Sequence, residues 1–308
     1  MARKRFYDFN TYLRSLFGCR VQKITLDASL TCPNRDGTKG VGGCIYCNAR
    51  GSGTGLGNTL SISQQVQQAR EYLRRRYKAK KFLAYFQSFS NTYAPLNVLK
   101  GLYEEALAFE DVVGLCIGTR PDCVGEDVLD YLQDISSNYL IWMEYGLQSV
   151  HERTLRLINR GHGVEEFVDA VDRTRKRGLN VCVHIILGLP GEDRDDMLQT
   201  ARFLASMDIQ GVKIHLLYVI RDTPLHRLYR EGRYICLSRE EYVSIVSHFI
   251  SLLPPHVVIQ RITGDPHPNE LVAPQWALER QRNRRDILQY MEQMDLYQGK
   301  FYRRGEDG

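Results

Sequence analysis

Short apolar runs recur along the chain at roughly 30-residue spacing, most of them followed by stretches whose apolar residues return every three or four positions. The runs over 23–27, 82–86, 112–117, 140–145, 181–187, 212–219 and 257–260 predict buried strands. The amphipathic stretches over 62–77, 96–109, 125–135, 164–178, 195–207 and 239–252 predict helices between them. Strands alternating with helices in this way imply βαβ units and a parallel sheet. About six such units are too few for a closed eight-fold barrel. They suit an open barrel or a doubly wound sheet, and periodicity does not choose between the two. In both, ligands bind at the carboxyl ends of the strands. The pattern breaks at Asp265-Pro-His-Pro268. A polar helix with Trp276, Arg280, Arg282, Arg284 and Arg285 is expected after it, then a tail with Lys300, Arg303 and Arg304. The expected division is a basic N-terminal segment over 1–22, a main α/β domain over 23–265 and a C-terminal helical extension over 266–308.

Composition changes this picture little. The chain has 308 residues, 43% hydrophobic and 25% charged, enough for a sizeable core. The net charge of +5 fits an anionic partner without requiring one. No apolar run reaches the ~18 residues of a membrane span, and the basic N-terminus lacks the apolar core of a secretory signal. No membrane association and a cytoplasmic location are therefore expected. Eight cysteines in such a chain point to reduced thiols, metal ligation or core packing rather than a disulfide framework.

Three of those cysteines share one glycine-rich loop directly after the first strand: Thr31-Cys32-Pro-Asn-Arg-Asp-Gly-Thr-Lys-Gly-Val-Gly-Gly-Cys44-Ile-Tyr46-Cys47-Asn48. The spacing is C-x11-C-x2-C. Three readings are open. Cys44-x2-Cys47 suits a structural zinc site, with Cys19 or a histidine as fourth ligand, although a second paired knuckle is missing. The thiols are unliganded in the second reading. In the third they hold a four-iron cluster and leave one iron without a protein ligand, open to a substrate or cofactor. Gly37, Gly40, Gly42, Gly43 and the run over 51–57 permit the unusual backbone angles such a loop needs.

The loop resembles that of radical S-adenosylmethionine (SAM) enzymes. It is most similar to the YhcC-type subgroup, related to the Elongator catalytic subunit and to oxygen-independent coproporphyrinogen oxidase. The resemblance lies in Leu26-Asp-Ala28, Thr31-Cys-Pro-Asn-Arg-Asp-Gly-Thr38 and Gly42-Gly-Cys-Ile-Tyr-Cys-Asn48. It implies a partial (βα)6 TIM-like barrel of the radical SAM type. It implies a [4Fe-4S] cluster on Cys32, Cys44 and Cys47 with SAM chelated at the open iron, and an electron donor such as flavodoxin or ferredoxin. Cleavage of SAM would yield a 5′-deoxyadenosyl radical.

The resemblance also suggests site residues at the strand ends. Tyr46 would lie near the adenine. Gln87 and Ser88 take the place of the Gly-Gly-Glu that binds the SAM amino group in the family. Gly118-Thr-Arg-Pro-Asp122 presents Arg120 and Asp122 at the mouth, or forms a turn held by that pair. Glu144 and Gln148 match a Glu-x-Gly-x-Gln-Ser pattern near SAM or substrate, and a Glu within an apolar strand needs partners. Arg160 of Asn-Arg-Gly-His162 has the fork to meet the SAM carboxylate. Gly188 belongs to a segment that packs on adenine. On the sixth strand Lys213 and His215 share a face, with Tyr218 on the opposite one. Glu144 and His215 are the candidate catalytic groups, His215 as substrate ligand, proton donor or core residue.

Basic residues gather at Arg3–Arg5 with Arg14, at Arg74–Arg76 with Lys78, Lys80 and Lys81, and at Arg280–Arg285 with Arg303 and Arg304, interleaved with Phe6, Tyr7, Phe9, Tyr72, Tyr77, Tyr290 and Tyr302. Basic and aromatic surface together suit RNA. The resemblance implies a transfer RNA partner, with processing of the 5-carboxymethylaminomethyl group of wobble uridine. A radical SAM enzyme acting on a small metabolite such as a tetrapyrrole is the second reading, and a zinc-binding interaction module the third. Convergence of the basic groups on the barrel mouth is the expectation that separates RNA from metabolite.

Overall fold

The computed structural model describes residues 4–48, 51 and 59–303. Nine strands are formed among them: β1 (Val21–Leu26), β2 (Lys81–Phe86), β3 (Val112–Thr119), β4 (Leu140–Gln148), β5 (Asn180–Leu187), β6 (Gly211–Leu216), β7 (Val219–Ile220), β8 (Val258–Arg261) and β9 (Leu271–Ala273). The helices are α1 (Phe9–Phe17), α2 (Ile62–Tyr77), α3 (Leu96–Leu107), α4 (Glu126–Ile135), α5 (Glu152–Leu157), α6 (Val164–Lys176), α7 (Arg194–Ser206), α8 (Pro224–Arg230), α9 (Arg239–Leu252) and α10 (Arg280–Gln293). Seven strands form one parallel sheet in the order β1-β2-β3-β4-β5-β6-β8, and β7 pairs antiparallel with β9.

That order decides between the two architectures the periodicity leaves open. A doubly wound sheet reverses its strand order at a switch point. Here the order rises without reversal, as in barrels, and β1 and β8 remain separate edges. The sheet must also curl. In a flat sheet β1 and β4 would stand about 14 Å apart. Lys23 on β1 nevertheless reaches Glu144 on β4 at 2.7 Å.

The convex face carries the main core, where Leu26, Phe82, Ile117, Met143, Val183 and Ile214 meet Val66, Leu99, Leu132, Phe167, Leu204 and Phe249 of the surrounding helices. Helix starts are fixed locally. Ser61, Asp193 and Ser238 form capping boxes with Gln64, Asp196 and Glu241 at α2, α7 and α9. A second apolar group fills the amino-terminal end of the concave face: Val21, Leu83, Cys116, Trp142, Cys182 and Val258, closed by Leu13 of α1. Phe9 and Tyr12 stand edge-on to Trp142, with ring centroids 5.9 and 5.5 Å away.

The N-terminal segment is therefore structural. Phe6 is buried in the main core and Phe9 plugs the half-barrel, so neither is free to stack on a base. Just before α1 the chain runs along β8, with Ile259 N donating to Tyr7 O at 2.8 Å. This covers an edge strand whose open backbone groups would otherwise invite pairing. Two further expectations change. The run over 212–219 is two strands, broken between β6 and β7. Trp276 sits in a short 3-10 turn, Gln275–Leu278, before α10 rather than within the helix.

Candidate functional site

β1 ends at Leu26 and the cysteine loop follows at the carboxyl ends of the strands, where parallel sheets place ligands. Arg35 N and Asp36 N donate to Cys32 O at 2.8 and 3.2 Å, and Cys47 N to Cys44 O at 2.9 Å. Gly43 has φ +74°, and a Cβ there would press Arg35 Cγ at 3.1 Å. The run over 51–57, apart from Gly51, lies outside the described residues.

The loop is stapled to residues 158–161. Ile45 N donates to Ile158 O at 3.0 Å, Asn34 Nδ2 to Asn159 O at 2.6 Å, and Asn159 Nδ2 to Gly43 O at 2.7 Å. Arg160 is buried. Its Nε and Nη2 donate to Gly146 O at 3.2 and 2.7 Å, and Nη1 lies 3.7 Å from Cys44 Sγ. Gly146 leaves room for these side chains, because a Cβ would stand 2.6 Å from Gln148 Nε2 and 2.7 Å from Arg160 Nη2 and displace both. Arg120 completes the staple. It grips Asp122 with Nε and Nη2 at 2.9 and 2.8 Å and donates to Arg160 O and Gly161 O at 2.7 and 3.0 Å. Arg120 and Lys39 outweigh burial and hold the Asp122 carboxyl well below the usual carboxylate range.

All eight cysteines are free; Cys44 is buried and Cys32 and Cys47 half-buried. Burial and the neighbouring Cys44 push the Cys47 thiol up to about 12. Ser88 Oγ and His162 Nε2 are buried without a protein partner. The segment with Ser88 abuts the loop, since Ser90 N donates to Thr31 O at 3.2 Å. Burial and Arg160 push His162 down to about 3. Free thiols, a guanidinium beside one of them and orphaned polar atoms around them fit a bound group carried by this loop. Among the described residues no three His, Cys, Asp or Glu side chains gather as around a single ion. Thiolates on a four-iron cube bind different irons and are spread accordingly. Cys19 packs with the apolar plug at the opposite end and is not placed to complete a zinc site with the loop.

Below the loop, inside the half-barrel, lies a charged hub that the periodicity did not announce. Glu144 is 1% exposed. It meets Lys23 Nζ at 2.7 Å, His184 Nε2 at 2.8 Å and Lys213 Nζ. Lys213 also lies 3.9 Å from the Tyr85 ring centroid, over its face. Burial alone would raise the Glu144 carboxyl, but Lys213, Lys23 and His184 outweigh it and hold it well below its ordinary value. Burial and Lys213 push His184 down to about 4, so it is neutral near pH 7. One carboxylate against two lysines leaves the interior net positive. Lys23 and His184 escaped the sequence reading, although polar residues within otherwise apolar parallel strands are the signal that marks them.

The other expected residues distribute as follows. Tyr46 packs with Leu189, next to Gly188, in an apolar group that also holds Leu155, Ile158 and Tyr234. Tyr234 OH donates to Gly188 O at 2.9 Å. Gln148 ends β4 with φ +75°, where the ladder to β5 shifts register. Gln87 N donates to Leu26 O at 3.3 Å. His215 lies 5.5 Å from His184, ring to ring, and its Nε2 is buried without a protein partner. Burial, Arg261 and His184 hold it well below its ordinary value. β6 ends at Leu216, so strand alternation no longer governs Tyr218, which is within electrostatic reach of both Arg261 and Cys47.

The basic groups do not all converge on the mouth, although the first and third lie side by side, with Arg284 5.8 Å from the Phe6 ring and Arg5 3.4 Å from Asp295. The end of α2 and the start of β2 put Arg74–Lys81 at the amino-terminal rim, opposite the cysteine loop. A hollow of about 490 Å³ lined by Phe17, Lys81, Tyr139 and Asn180 also lies on that rim. In the third group Arg280 pairs with Asp265 and Arg282 with Glu279, both at 3.0 Å. Arg284 and Arg285 are exposed, without ion pairs among the described residues. Arg3 and Arg304 lie outside those residues.

The sequence profile of the Radical SAM superfamily matches residues 32–204, and that of the Radical_SAM C-terminal domain residues 209–293. An uncharacterized Bacillus subtilis protein, YtqA, is 43% identical over 305 residues, 99% of this chain and 95% of that one. A Methanocaldococcus jannaschii tRNA uridine(34) acetyltransferase is 31% identical over 50% of this chain and 28% of its own length. The solved structure of Methanocaldococcus infernus Elp3 with an N-terminal deletion gives a TM-score of 0.70 at 20% identity, over 90% of this chain and 64% of that one. That last likeness is one of fold.

Proposed function

The chain belongs to the radical SAM superfamily, whose members bind a [4Fe-4S] cluster and SAM, and we propose that it modifies the side chain of a wobble uridine in transfer RNA. The observation that carries the superfamily chemistry to particular residues is the stapled loop, in which Arg160 lies 3.7 Å from Cys44 Sγ. Cys32, Cys44 and Cys47 would hold the cluster. When bound, cluster and SAM supply a 5′-deoxyadenosyl radical that takes a hydrogen atom from the substrate. Arg160 and Asn34 fix the loop and aim N–H groups at Cys44 Sγ. Tyr46 and the segment at Gly188 offer an apolar wall for the adenine, and Ser88, Gln87 and Gln148 polar groups for the rest of SAM. Glu144, held by three partners, offsets part of the lysine charge inside the half-barrel rather than acting as a free base.

The transfer RNA reading is supported by the relative named for uridine 34 of tRNA. This chain spans 28% of that protein, so acetyl transfer stays with the relative. Processing of a 5-carboxymethylaminomethyl group is the form of the reaction we propose, in the cytoplasm, with an electron from a flavodoxin- or ferredoxin-type carrier. No helix among the described residues is long and apolar enough to cross a membrane. The scattered basic groups favour a second reading, a small metabolite such as a tetrapyrrole. Mass spectrometry of nucleosides in transfer RNA from wild-type and deletion cells separates them. A wobble-uridine precursor should accumulate without the gene, and an unchanged nucleoside profile refutes the tRNA reading.

A further inference from the structure

The ladder between β6 and β8 contains an irregularity with a chemical consequence. Gly211 pairs with Val258 and Val212 with Ile259, but Lys213 pairs with Arg261, skipping Gln260. An extra residue in a strand re-aims the side chains that follow it. Strand alternation alone would send Arg261 to the convex side, because Gln260 already reaches Lys23 inside the half-barrel at 2.7 Å. The bulge instead sets Arg261 opposite Lys213, on the concave face. Its charge accordingly acts on Tyr85, His184, His215 and Tyr218, which come from β2, β5, β6 and the turn after β6.

Arg261 is half-buried, and its side chain has no ion pair or hydrogen bond among the described residues. Next to it His215 Nε2 is buried without a partner. Lys213, 3% exposed, and Lys23 exceed by one charge the carboxylate they both touch, Glu144, while Asp265 and Glu270 act on Tyr218 from beyond the strand ends. Arg261 adds a third cation to this hub, with no carboxylate bonded to it among the described residues. An interior with surplus positive charge, an unmatched guanidinium fork and an orphaned imidazole nitrogen is built to receive an anion. A planar carboxylate matches the fork.

We propose that Arg261 and His215, backed by Lys213, bind a carboxylate carried by the substrate inside the half-barrel. This rests on the reading of the chain as an enzyme whose substrate enters that interior, and it assigns the group by which the substrate is held. Arg261 takes the two oxygens and His215 donates to one of them through Nε2. The carboxylate then anchors the substrate while the rest of it points to the strand ends and the cysteine loop.

The test compares wild-type, Arg261→Gln and Arg261→Lys holoenzymes, reconstituted anaerobically. The substrates are an anticodon stem-loop bearing 5-carboxymethylaminomethyluridine and the same RNA as its methyl ester. Wild type should prefer the acid by about 10- to 100-fold in kcat/KM, the range for a buried charge-assisted contact. Arg261→Gln should erase the preference, and Arg261→Lys, which keeps the charge and loses the fork, should fall between. Binding of 13C-labelled acetate, read by line broadening, should be lost in parallel. Equal handling of acid and ester by wild type, with acetate binding unaffected by Arg261→Gln, overturns the proposal. A weaker SAM dissociation constant in Arg261→Gln with the acid preference intact assigns the carboxylate to SAM and also overturns it. Loss of acetate binding in a protein that processes neither RNA upholds the anion site while removing the tRNA reading.

Discussion

Glu144→Gln tests how the half-barrel interior is held. The carboxylate is 1% exposed and Lys213 3%, so neither has water to fall back on. Replacing the charge by an amide keeps shape and some hydrogen bonding but leaves Lys213 and Lys23 without a counter-charge. Removing one partner of a buried ion pair destabilises by about 3–5 kcal/mol. The amide and the partial exposure of Lys23, 18% at its side chain, argue for the lower end. The expected loss is therefore about 3 kcal/mol. Lys213→Met should lose a similar amount, and the double variant should fall short of the sum by about 2 kcal/mol, since no buried charge is then stranded at that pair. Urea unfolding of the metal-free protein, followed by Trp fluorescence, reads this directly. Trp142 is fully buried in the apolar floor next to the hub. Glu144→Gln should keep its iron after reconstitution, because among the described residues no hydrogen bond or ion pair joins Glu144 to the cysteine loop. A variant within about 1 kcal/mol of wild type, or strict additivity in the cycle, refutes the hub as a coupled buried network.

Cys44→Ala should abolish iron binding and 5′-deoxyadenosine formation, measured by iron assay and chromatography; retention of both refutes the ligand assignment. Gly146→Ala should displace Arg160, which its Cβ would meet at 2.7 Å, and lower iron occupancy while the far-ultraviolet circular dichroism stays that of wild type. His184 is held at about 4 against an ordinary 6.5, so the unfolded chain takes up its proton first as pH falls. Its stabilising contribution is complete above pH 6.5 and shrinks toward pH 4. From pH 7 to 5.5 it should weaken the metal-free protein by roughly 1 kcal/mol, a loss that His184→Gln removes from the urea-midpoint profile. Arg284→Gln with Arg285→Gln should weaken transfer RNA binding and reduce the salt slope by about 1 to 2; an unchanged slope takes α10 off the RNA surface.

The sequence by itself determined the parts that depend on near neighbours. Apolar runs and amphipathic stretches specified the strands of the main sheet and the helices α2, α3, α4, α6, α7 and α9 in order, but not α1, α5, α8 or β9, because side-chain period is a property of the local backbone and shows best in long elements. The spacing of Cys32, Cys44 and Cys47 gathered three thiols into one loop because a short chain segment has little room to separate them. Tertiary structure decided everything that required strands to meet. Rising strand order and curl chose the open barrel over the doubly wound sheet. Curl also brought Lys23 to Glu144 across 121 residues of chain, a pairing that no local pattern encodes. Tertiary structure also set Arg160 against Gly146 O and Cys44 Sγ, contacts that no local pattern encodes. The basic groups looked alike along the chain, and only the direction of α2 put one of them at the far rim. A single skipped residue at Gln260 reversed the face of Arg261. Register is set by how two strands pack, so that reversal became visible only once β6 and β8 lay side by side.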